Sequence, residues 1–416
     1  MPLEAAQLIK DDQDHLIHPL HHPSDHLEPM VYVRGRGAVL TDVQGREYID
    51  GLAGLWNVNV GHGRAELAEA AAEQMRELAY YSAYSGSTNI PAIQLASKLM
   101  TLAYPNMQGV FFTSGGAESN ESAFKTARFY WKMFEPRVPG FVHIPTCYPY
   151  RQEGAKPGET AGQTAARLLE EAILREGPDT VAAFIAEPIH GGGGVLYPTD
   201  DYFPLVRQVC DKHHVLFIAD EVITGFCRTG KWFALEHWNV LPDIVSFAKG
   251  VSSGYLPLGG IMVSKAIKQA MDDVKPEDKW MHAYTYSGHP TCCAVGLKNL
   301  EIMERERLWE RAAAMGTRLH KGLQQALGDH KHVGDIRGGK GLLAAVELVE
   351  DRGTKAAFGA DKKIGPRVLA EMTKRGVITR ARLEHIFFAP PLVVSEEQVD
   401  RLVSVTRDSI KAVTGI

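Results

Sequence analysis

Short runs of large apolar residues alternate with helical patterns from residue 78 to about residue 265. No other feature of the sequence constrains the fold as much. The runs are GVFFT (109–113), VAAFIAEP (181–188), LFIADEV (216–222), DIVSFAKG (243–250) and GGIMVS (259–264). Because they lack polar alternation, each run predicts a strand buried on both faces, and strands that alternate with helices form a parallel sheet. Ligands of such α/β folds bind at the carboxyl ends of the strands.

Smaller elements are predicted on either side of this region. Residues 31–54 predict a strand, a glycine turn and a hairpin that turns at residues 44–45, and residues 64–78 predict a helix. A long helical stretch at 292–327 leads into a C-terminal unit. In this unit a smaller sheet flanked by helices is predicted from GLLAAVELV (341–349), GVITR (376–380) and IFFAPPL (386–392). We therefore expect a domain change near residue 300.

The composition excludes several classes of protein. With 416 residues, of which 45% are hydrophobic, the chain can form two or more lobes with real cores. The 45 basic and 50 acidic residues give a net charge of -5 and form no long runs of one sign, so the sequence has no electrostatic footprint for nucleic acids or anionic membranes. No apolar stretch reaches the roughly 20 residues of a membrane span, and no signal peptide is recognisable. We expect a cytoplasmic protein whose partners are small molecules or copies of itself.

Neither the cysteines nor the histidines predict a metal site. The five cysteines are odd in number and form no CxxC pair, which argues against a disulfide framework and a structural zinc site. Five histidines fall within residues 15–30, where a metal tract is the less favoured alternative. No helical or hairpin spacing organises them into a set of ligands. We expect an irregular arm there.

Three of the predicted strand ends carry unusual chemistry, and the first is TSGGAESNE (113–121). It leads from a strand through Gly115 and Gly116 into a helix, and free backbone amides at a helix N-terminus bind phosphate. The alternative is an ordinary capped helix, because Ser114 and Glu118 also suit capping. The loop alone does not decide between the two.

Asp220 and Lys249 stand at the two other predicted strand ends. Asp220 closes a hydrophobic run, where a carboxylate requires a cation or strong donors such as a protonated ring nitrogen; helix capping or pairing with Arg228 is the alternative. Lys249 follows a strand, where burial would make it a nucleophile suited to Schiff-base chemistry, although most lysines are solvated surface groups. Together, a phosphate site, a buried acid and a buried lysine are what pyridoxal phosphate requires of a protein.

The residues resemble the class III (omega) aminotransferases, which are fold type I pyridoxal-phosphate enzymes. The resemblance covers nearly the whole chain and rests on GLWNVNVGHG (54–63), TSGGAESNE (113–121), IAEP (185–188), DEVITGFCRTG (220–230), FAKGVSSGYLPLGG (247–260) and TYSGHP (285–290). It implies an α/β fold with a mostly parallel sheet in a large domain, and a smaller α+β domain built from both chain ends. The expected divisions are 1–60, 61–300 and 301–416.

The resemblance also implies roles for individual residues. Lys249 corresponds to the lysine that forms the internal aldimine with pyridoxal 5'-phosphate, and Asp220 to the carboxylate that keeps the pyridine nitrogen protonated. The remaining positions assigned to the cofactor are Gly115, Gly116, Ala117, Glu187, Val222 and Thr285. Of these, Val222 would pack on one face of the ring, the amides of Gly116 and Ala117 would bind the phosphate, and Thr285 would reach it from a second subunit of a homodimer.

The substrate side of the site points to one subgroup. Ile223 stands where relatives acting on gamma-aminobutyrate or ornithine usually carry glutamine, and Trp56 and Tyr84 resemble the aromatic walls of an amine pocket. This favours the amine:pyruvate or diamine:pyruvate subgroup. Arg380 matches the mobile arginine that binds the carboxylate of the keto acid, while a surface role for it, or the use of Arg382 on the same face, are alternatives.

Three departures from the family are visible. The usual Gly-Asp after the arginine is replaced by residues 383–384, and Cys227 replaces a usual glycine, with little expected consequence. After Trp131 the family continues with a further strand and an aromatic-His-Gly turn that stacks on the cofactor opposite Val222, and this segment is missing near residues 132–133. Either the natural protein contains the segment, or the deletion is real and the protein is a non-catalytic, cofactor-free homologue.

The expected reaction is a ping-pong transfer of an amino group from a primary amine, a diamine or an omega-amino acid to pyruvate. An aminomutase or a decarboxylating transaminase of the same fold is the alternative. We expect partners among amines and keto acids, with no nucleic acid and no membrane.

Overall fold

The structure is a computed structural model that describes residues 5–16, 29–81, 83, 86–131, 141–275 and 278–415. Its strands are β1 (Tyr32–Arg36), β2 (Val39–Asp42), β3 (Glu47–Asp50), β4 (Met107–Thr113), β5 (Ala183–Ala186), β6 (Leu216–Asp220), β7 (Ile244–Phe247), β8 (Gly259–Ser264), β9 (Val333–Gly339), β10 (Gly341–Leu348), β11 (Val377–Ile378), β12 (Arg380–Arg382) and β13 (His385–Phe388). Its helices are α1 (Ala5–His15), α2 (Ala53–Trp56), α3 (Ala65–Leu78), α4 (Ile90–Leu102), α5 (Gly116–Tyr130), α6 (Ala161–Glu176), α7 (Tyr202–Lys212), α8 (Lys265–Asp272), α9 (Pro290–Arg305), α10 (Leu308–Leu327), α11 (Ile364–Lys374) and α12 (Glu396–Thr414).

The five predicted apolar runs form one sheet with the strand order β4-β8-β7-β6-β5. Strands β5, β6 and β7 pair in parallel, as predicted. Strand β8 runs antiparallel to both β7 and β4, so the other four strands point the same way. The reason is the connection: a parallel neighbour requires a crossover, usually through a helix, whereas only a 3-10 turn and a loop join β7 to β8.

Strands β6, β7 and β8 are buried on both faces, as the lack of polar alternation predicted, whereas β5 is only half-buried and β4 is buried only at its two ends. On one face α5 covers a cluster formed by Ala123, Ala127, Leu216, Ile218, Ile244 and Ile261. The residues that alternate with them lie in the main core on the opposite face, namely Phe217, Ala219, Val245, Phe247 and Met262. Burying a large apolar side chain contributes roughly 1.5–3 kcal/mol, so this sheet anchors the large lobe.

Two smaller sheets are built from the ends of the chain. The predicted hairpin is confirmed, since β1, β2 and β3 pair in sequence. Strand β11, predicted to join the C-terminal sheet, instead pairs in parallel with β3, and the C-terminal sheet has the order β12-β13-β10-β9. Strand β9 was not predicted. The pairing of β11 with β3 was not predicted because it joins residues more than 300 positions apart in the sequence.

The helical stretch expected at 292–327 is two helices, α9 and α10. The break falls at Arg307, whose φ of 49° is left-handed and ends the regular helix. Residue 300, where we expected a domain change, lies inside α9, and the division into 1–60, 61–300 and 301–416 stays a prediction. Within the described residues, no helix has the length and apolarity needed to cross a membrane.

Candidate active site

Four strands that point the same way end at one edge of the large sheet. The chain leaves β4 into Ser114, β5 into Glu187, β6 at Asp220 and β7 into Lys249 after one residue. The charges of Glu187, Asp220 and Lys249 act on one another, which places the three side chains in one site. These side chains thus lie together at the carboxyl ends of the strands, where we expected a ligand site.

Helix α5 begins at this edge without a side-chain cap. Its N-cap is Gly115, whose φ of -176° is ordinary extended backbone with open space around it. The capping alternative holds only in part, because Glu118 accepts a hydrogen bond from the amide of Ser114 at 2.8 Å while no side chain caps the helix. The amide donors of the first turn thus have no side-chain acceptor, as an anion site requires.

Val222 connects this helix to the acid. A methyl group added to Gly116 would lie 2.8 Å from Cγ1 of Val222, so the start of α5 and the residue after β6 are in close contact. The backbone amide of Val222 donates to Oδ1 of Asp220 at 3.0 Å. Gly116, Val222 and Asp220 therefore form one continuous wall.

Asp220 is half-buried and has neutral hydrogen-bond donors. Besides the amide of Val222, Nδ2 of Asn120 donates to Oδ2 of Asp220 at 2.7 Å. The alternative partner Arg228 points elsewhere: its guanidinium donates to Oδ1 of Asn59 at 2.8 Å and to the carbonyl of Pro390 at 2.7 Å. Among the described residues Asp220 thus has no cation in hydrogen-bond contact, and a protonated group in the site would supply one.

The loop after Asp220 also explains the departure at Cys227. The φ angle of Cys227 is 72°, in the left-handed region, and its side chain is fully buried. A residue with a side chain costs roughly 1–2 kcal/mol in that conformation, which is why glycine suits the position. We expected little consequence, and the structure indicates local strain instead.

Lys249 is a partly buried lysine in a strained backbone position, with a φ of 45°. Burial lowers the pKa of its ammonium group, and the nearby carboxylates of Asp220 and Glu187 oppose this shift. In the described part of the chain, its Nζ makes neither a hydrogen bond nor an ion pair. A desolvated amine of this kind is closer to its reactive neutral form than a surface lysine.

Glu187 lies directly after β5, the strand next to β6 and Asp220. Burial, followed by the charge of Asp220, raises the pKa of Glu187 to about 7. Its Oε2 accepts from the amide of Gly191 at 2.9 Å, and its Oε1 lies 3.5 Å from Nε2 of His190. The carboxyl group is thus held by the loop that follows it.

The predicted substrate residues are only partly brought together. Trp56 is 4% exposed, and its ring centroid lies 5.6 Å from that of Phe387, the residue paired with Arg380 across β12 and β13. Arg380 is exposed, while Nη1 of Arg382 donates to the carbonyl of Gly192 at 3.1 Å. Tyr84 lies outside the described residues.

Thr285 is exposed. Its carbonyl accepts a hydrogen bond from the hydroxyl of Tyr80 at 2.7 Å. The nearby side chains of Met281 and Tyr286 are 74% and 60% exposed. That Thr285 reaches the phosphate site of a second subunit stays a prediction.

Sequence reasoning missed the roles of Asn120 and His190. Asn120 lies four residues after Gly116 on α5, so both face the same side of the helix, and this spacing was an available signal. Within the described ranges no group of three or more metal-binding side chains occurs. The histidine-rich stretch falls largely in residues 17–28, outside the described part.

Comparisons with known proteins identify the family. The sequence model of Aminotransferase class-III matches residues 21–135 and 130–410. Putrescine--pyruvate aminotransferase of Pseudomonas aeruginosa is 36% identical, with 91% of this chain and 89% of that protein aligned. Taurine--pyruvate aminotransferase of Bilophila wadsworthia is 36% identical over 455 residues, covering 97% of each protein.

The second alignment and the family match bear on the predicted gap. An alignment over 455 residues exceeds the 416 residues of this chain, so the relative carries residues that this chain lacks. The family match divides at 130–135, where we expected the missing segment. Residues 132–140 lie outside the described part of the chain.

Solved structures agree with the sequence comparisons. An (S)-enantioselective omega-transaminase of Thermomicrobium roseum matches 99% of both chains with a TM-score of 0.93 and 42% identity. The omega transaminase of Pseudomonas jessenii in complex with PMP covers 98% of both chains with a TM-score of 0.92 and 35% identity. The fold predicted from the sequence is therefore confirmed. The chain belongs to the class-III aminotransferases, a pyridoxal-phosphate-dependent family, and is an aminotransferase.

Proposed function

We propose that this aminotransferase uses pyridoxal 5'-phosphate to move an amino group from a primary amine, a diamine or an omega-amino acid to pyruvate. The observation that carries the proposal is the position of Lys249. It is a desolvated lysine without a hydrogen-bond partner among the described residues, beside Asp220 and Glu187 and at the strand edge where the uncapped helix α5 begins. The names of two relatives, which act with pyruvate, support the acceptor.

The free groups of the site fit the cofactor. Helix α5 offers uncapped amides for a phosphate, and Asp220 offers a carboxylate for a protonated ring nitrogen. Oδ1 of Asn120 is buried without a hydrogen-bond partner among the described residues, so a donor in the site would satisfy it. Gly115, Gly116 and Ala117 would hold the phosphate, together with Thr285 of a second subunit.

The chemistry of the residues follows from these positions. When bound, the cofactor supplies an aldehyde that condenses with amines and a ring that accepts the electron pair left on the substrate carbon. Asp220 would hold a proton on the ring nitrogen, and Val222 would pack on one ring face. Nζ of Lys249 would attach the cofactor and, once the substrate amine has displaced it, carry the proton from the substrate carbon as a general base.

Arg380 is the better candidate for the keto-acid carboxylate. Arg382 on the same face already donates to the carbonyl of Gly192, whereas Arg380 is exposed and has no hydrogen bond or ion pair within the described ranges. A free guanidinium can bind a carboxylate through two parallel hydrogen bonds. With Trp56 near Phe387 in the same region, an apolar wall and a carboxylate site would lie side by side.

We also propose a cytoplasmic homodimer with shared active sites. The exposed apolar side chains around Thr285 support an interface there, because patches of this kind mark contact surfaces. In such a dimer Thr285 of one subunit would serve the phosphate site of the other.

A panel of amine donors assayed with pyruvate tests the proposal. Alanine should form in amounts equal to the pyruvate consumed, and an absorption band in the visible region should appear when pyridoxal phosphate is added to the protein. An aminomutase would convert its substrate without consuming pyruvate, and a decarboxylating transaminase would release carbon dioxide. Absence of pyruvate consumption with every donor would contradict the proposal.

A further inference from the structure

The loop after Glu187 is a short hairpin rich in glycine, residues 187–196. The backbones of His190 and Leu196 exchange two hydrogen bonds, of 3.1 and 3.0 Å, and close the hairpin. Inside it the carbonyl of Gly191 accepts from the amides of Gly194 and Val195. Because the amide of Gly191 donates to the carboxyl group of Glu187, the backbone of this hairpin sets the orientation of that carboxyl group.

Arg337 binds the hairpin at Gly194. Its Nε and Nη2 both donate to the carbonyl of Gly194, at 3.0 and 2.9 Å. Gly194 has a φ of 141°, which a residue with a side chain rarely adopts, and an added methyl group would lie 3.3 Å from Nδ1 of His385 and 3.5 Å from Nη2 of Arg337. The contact is therefore close and specific to a glycine at this position.

Arg337 is itself rigidly placed. It is 7% exposed, and its Nη1 donates to Glu347 at 2.6 Å and to Asp335 at 2.8 Å. Its Nη2 also donates to Nδ1 of His385 at 2.8 Å, which requires that imidazole nitrogen to be an acceptor. These partners come from the three adjacent strands β9, β10 and β13. The guanidinium is thus a fixed point of the C-terminal sheet.

The charge of this cluster is balanced by a second arginine. Glu347 is 2% exposed and accepts from Nε of Arg151 at 2.6 Å and from the hydroxyl of Tyr148. Burial opposes ionisation of Glu347, but the hydrogen bonds from Tyr148, Arg151 and Arg337 lower its pKa overall. Arg151 contacts Glu347 and the carbonyl of Lys355, and neither lies in the hairpin.

We propose that Arg337 is a positioning residue of the active site: by holding the carbonyl of Gly194 it fixes the hairpin 187–196 and, through the amide of Gly191, the carboxyl group of Glu187 beside Lys249. The importance of Glu187 for cofactor binding rests on the proposed function. The planar guanidinium supplies two parallel donors to one carbonyl while binding carboxylates with its other nitrogen, and an ammonium group does not reproduce this arrangement.

Hydrogen exchange of the cofactor-free protein, read by mass spectrometry on peptides covering 187–196, tests the proposal directly. In Arg337→Lys we expect these amides to exchange on the order of tenfold faster than in the wild type, because a charge-assisted clamp is lost. Arg151→Lys is the matched control: it weakens the same Glu347 cluster without touching the hairpin, and should leave these amides within about twofold of the wild type.

Two outcomes would overturn the proposal. One is unchanged exchange at 187–196 in Arg337→Lys, and the other is equal acceleration in Arg337→Lys and Arg151→Lys, which would indicate a purely structural cluster. If Arg337→Lys does not fold, Asp335→Ala removes one acceptor of the guanidinium at a partly exposed position and should accelerate exchange in the same peptides. Unchanged exchange in that variant would equally contradict the proposal.

A second measurement separates this proposal from the proposed function. Titration of the folded variants with pyridoxal phosphate should show binding weakened on the order of tenfold in Arg337→Lys and little change in Arg151→Lys. Equal binding by both variants and the wild type would remove the link between Arg337 and the site. If the wild type binds no pyridoxal phosphate, the proposed function fails, while the exchange experiment still decides whether Arg337 fixes the hairpin.

Discussion

At the scale of single residues, the site is defined by two groups with shifted proton affinities. Burial lowers the pKa of Lys249 and raises that of Glu187 to about 7, so both shifts favour the neutral forms. Such opposed shifts at one place are typical of functional sites, because a purely structural pair would be arranged to keep both charges. The protonation states of Lys249 and Glu187 therefore depend on how completely water is excluded from the site.

The raised pKa of Glu187 predicts a pH-dependent stability of the cofactor-free protein. The folded state binds a proton at Glu187 up to about pH 7, whereas the unfolded state releases it near pH 4.5. Protonated Glu187 therefore adds about 3 kcal/mol to the free energy of unfolding. This contribution is fully present below pH 4.5 and is lost as the pH rises through 7. Glu187→Gln, which stays neutral, should gain in Tm relative to the wild type between pH 5 and pH 8. A difference in Tm that does not change with pH would contradict the shift.

The two arginines of β12 predict different kinetic effects. If Arg380 binds the carboxylate of the keto acid, Arg380→Ala should raise KM for pyruvate roughly 10- to 100-fold, equivalent to about 1.5–3 kcal/mol, and leave KM for an uncharged amine nearly unchanged. Arg382→Ala is the matched control and should affect both half-reactions alike, since Arg382 holds the carbonyl of Gly192. The reverse pattern would assign the carboxylate to Arg382.

Among the elements of the site, the start of α5 has two adjacent glycines in very different surroundings. A methyl group on Gly116 would lie 2.8 Å from Val222, whereas one on Gly115 would meet nothing within 4 Å. Gly116→Ala should therefore lower the free energy of unfolding by about 1–3 kcal/mol, and Gly115→Ala should change it by less than about 0.5 kcal/mol. Chemical denaturation of the cofactor-free variants measures both. Equal effects would mean that the contact with Val222 does not limit this position.

The elements also show what a sequence can predict. The strands that lead to Asp220 and Lys249 were predictable because their apolar runs are local and continuous. The antiparallel direction of β8 was not, since it follows from a missing crossover helix rather than from its own residues. The left-handed break at Arg307 has no glycine to signal it.

Side-chain contacts between segments that are far apart in the chain could not be predicted from the sequence either. Asn120 meets Asp220 across 100 residues of chain, and Arg337 meets Gly194 across 143. Neither residue type indicates its partner, because asparagine and arginine hydrogen-bond with almost any acceptor. The family resemblance implied roles for Lys249 and Asp220, and these roles stay predictions; it carried no information on the supporting residues.

At the scale of the whole molecule, the exposed apolar surface around Thr285 predicts a dimer. Light scattering should give the mass of two chains, and Tyr286→Glu should shift the protein towards monomers and reduce activity, because a charge would then lie in the proposed interface. Leu174→Glu, which alters an exposed apolar residue of α6, should leave the dimer intact. A fully active monomer at the assay concentration would refute shared active sites.

Borohydride reduction followed by peptide mass spectrometry shows whether Lys249 forms the proposed Schiff base with pyridoxal phosphate. Reduction converts a Schiff base into a stable amine, so the attached lysine can be read from the modified peptide. In the wild type the phosphopyridoxyl group should lie on the peptide that contains Lys249, and in Lys249→Ala no peptide should carry it. An adduct that persists in Lys249→Ala, or a wild type that forms none under saturating cofactor, would contradict the assignment of Lys249 as the attachment site.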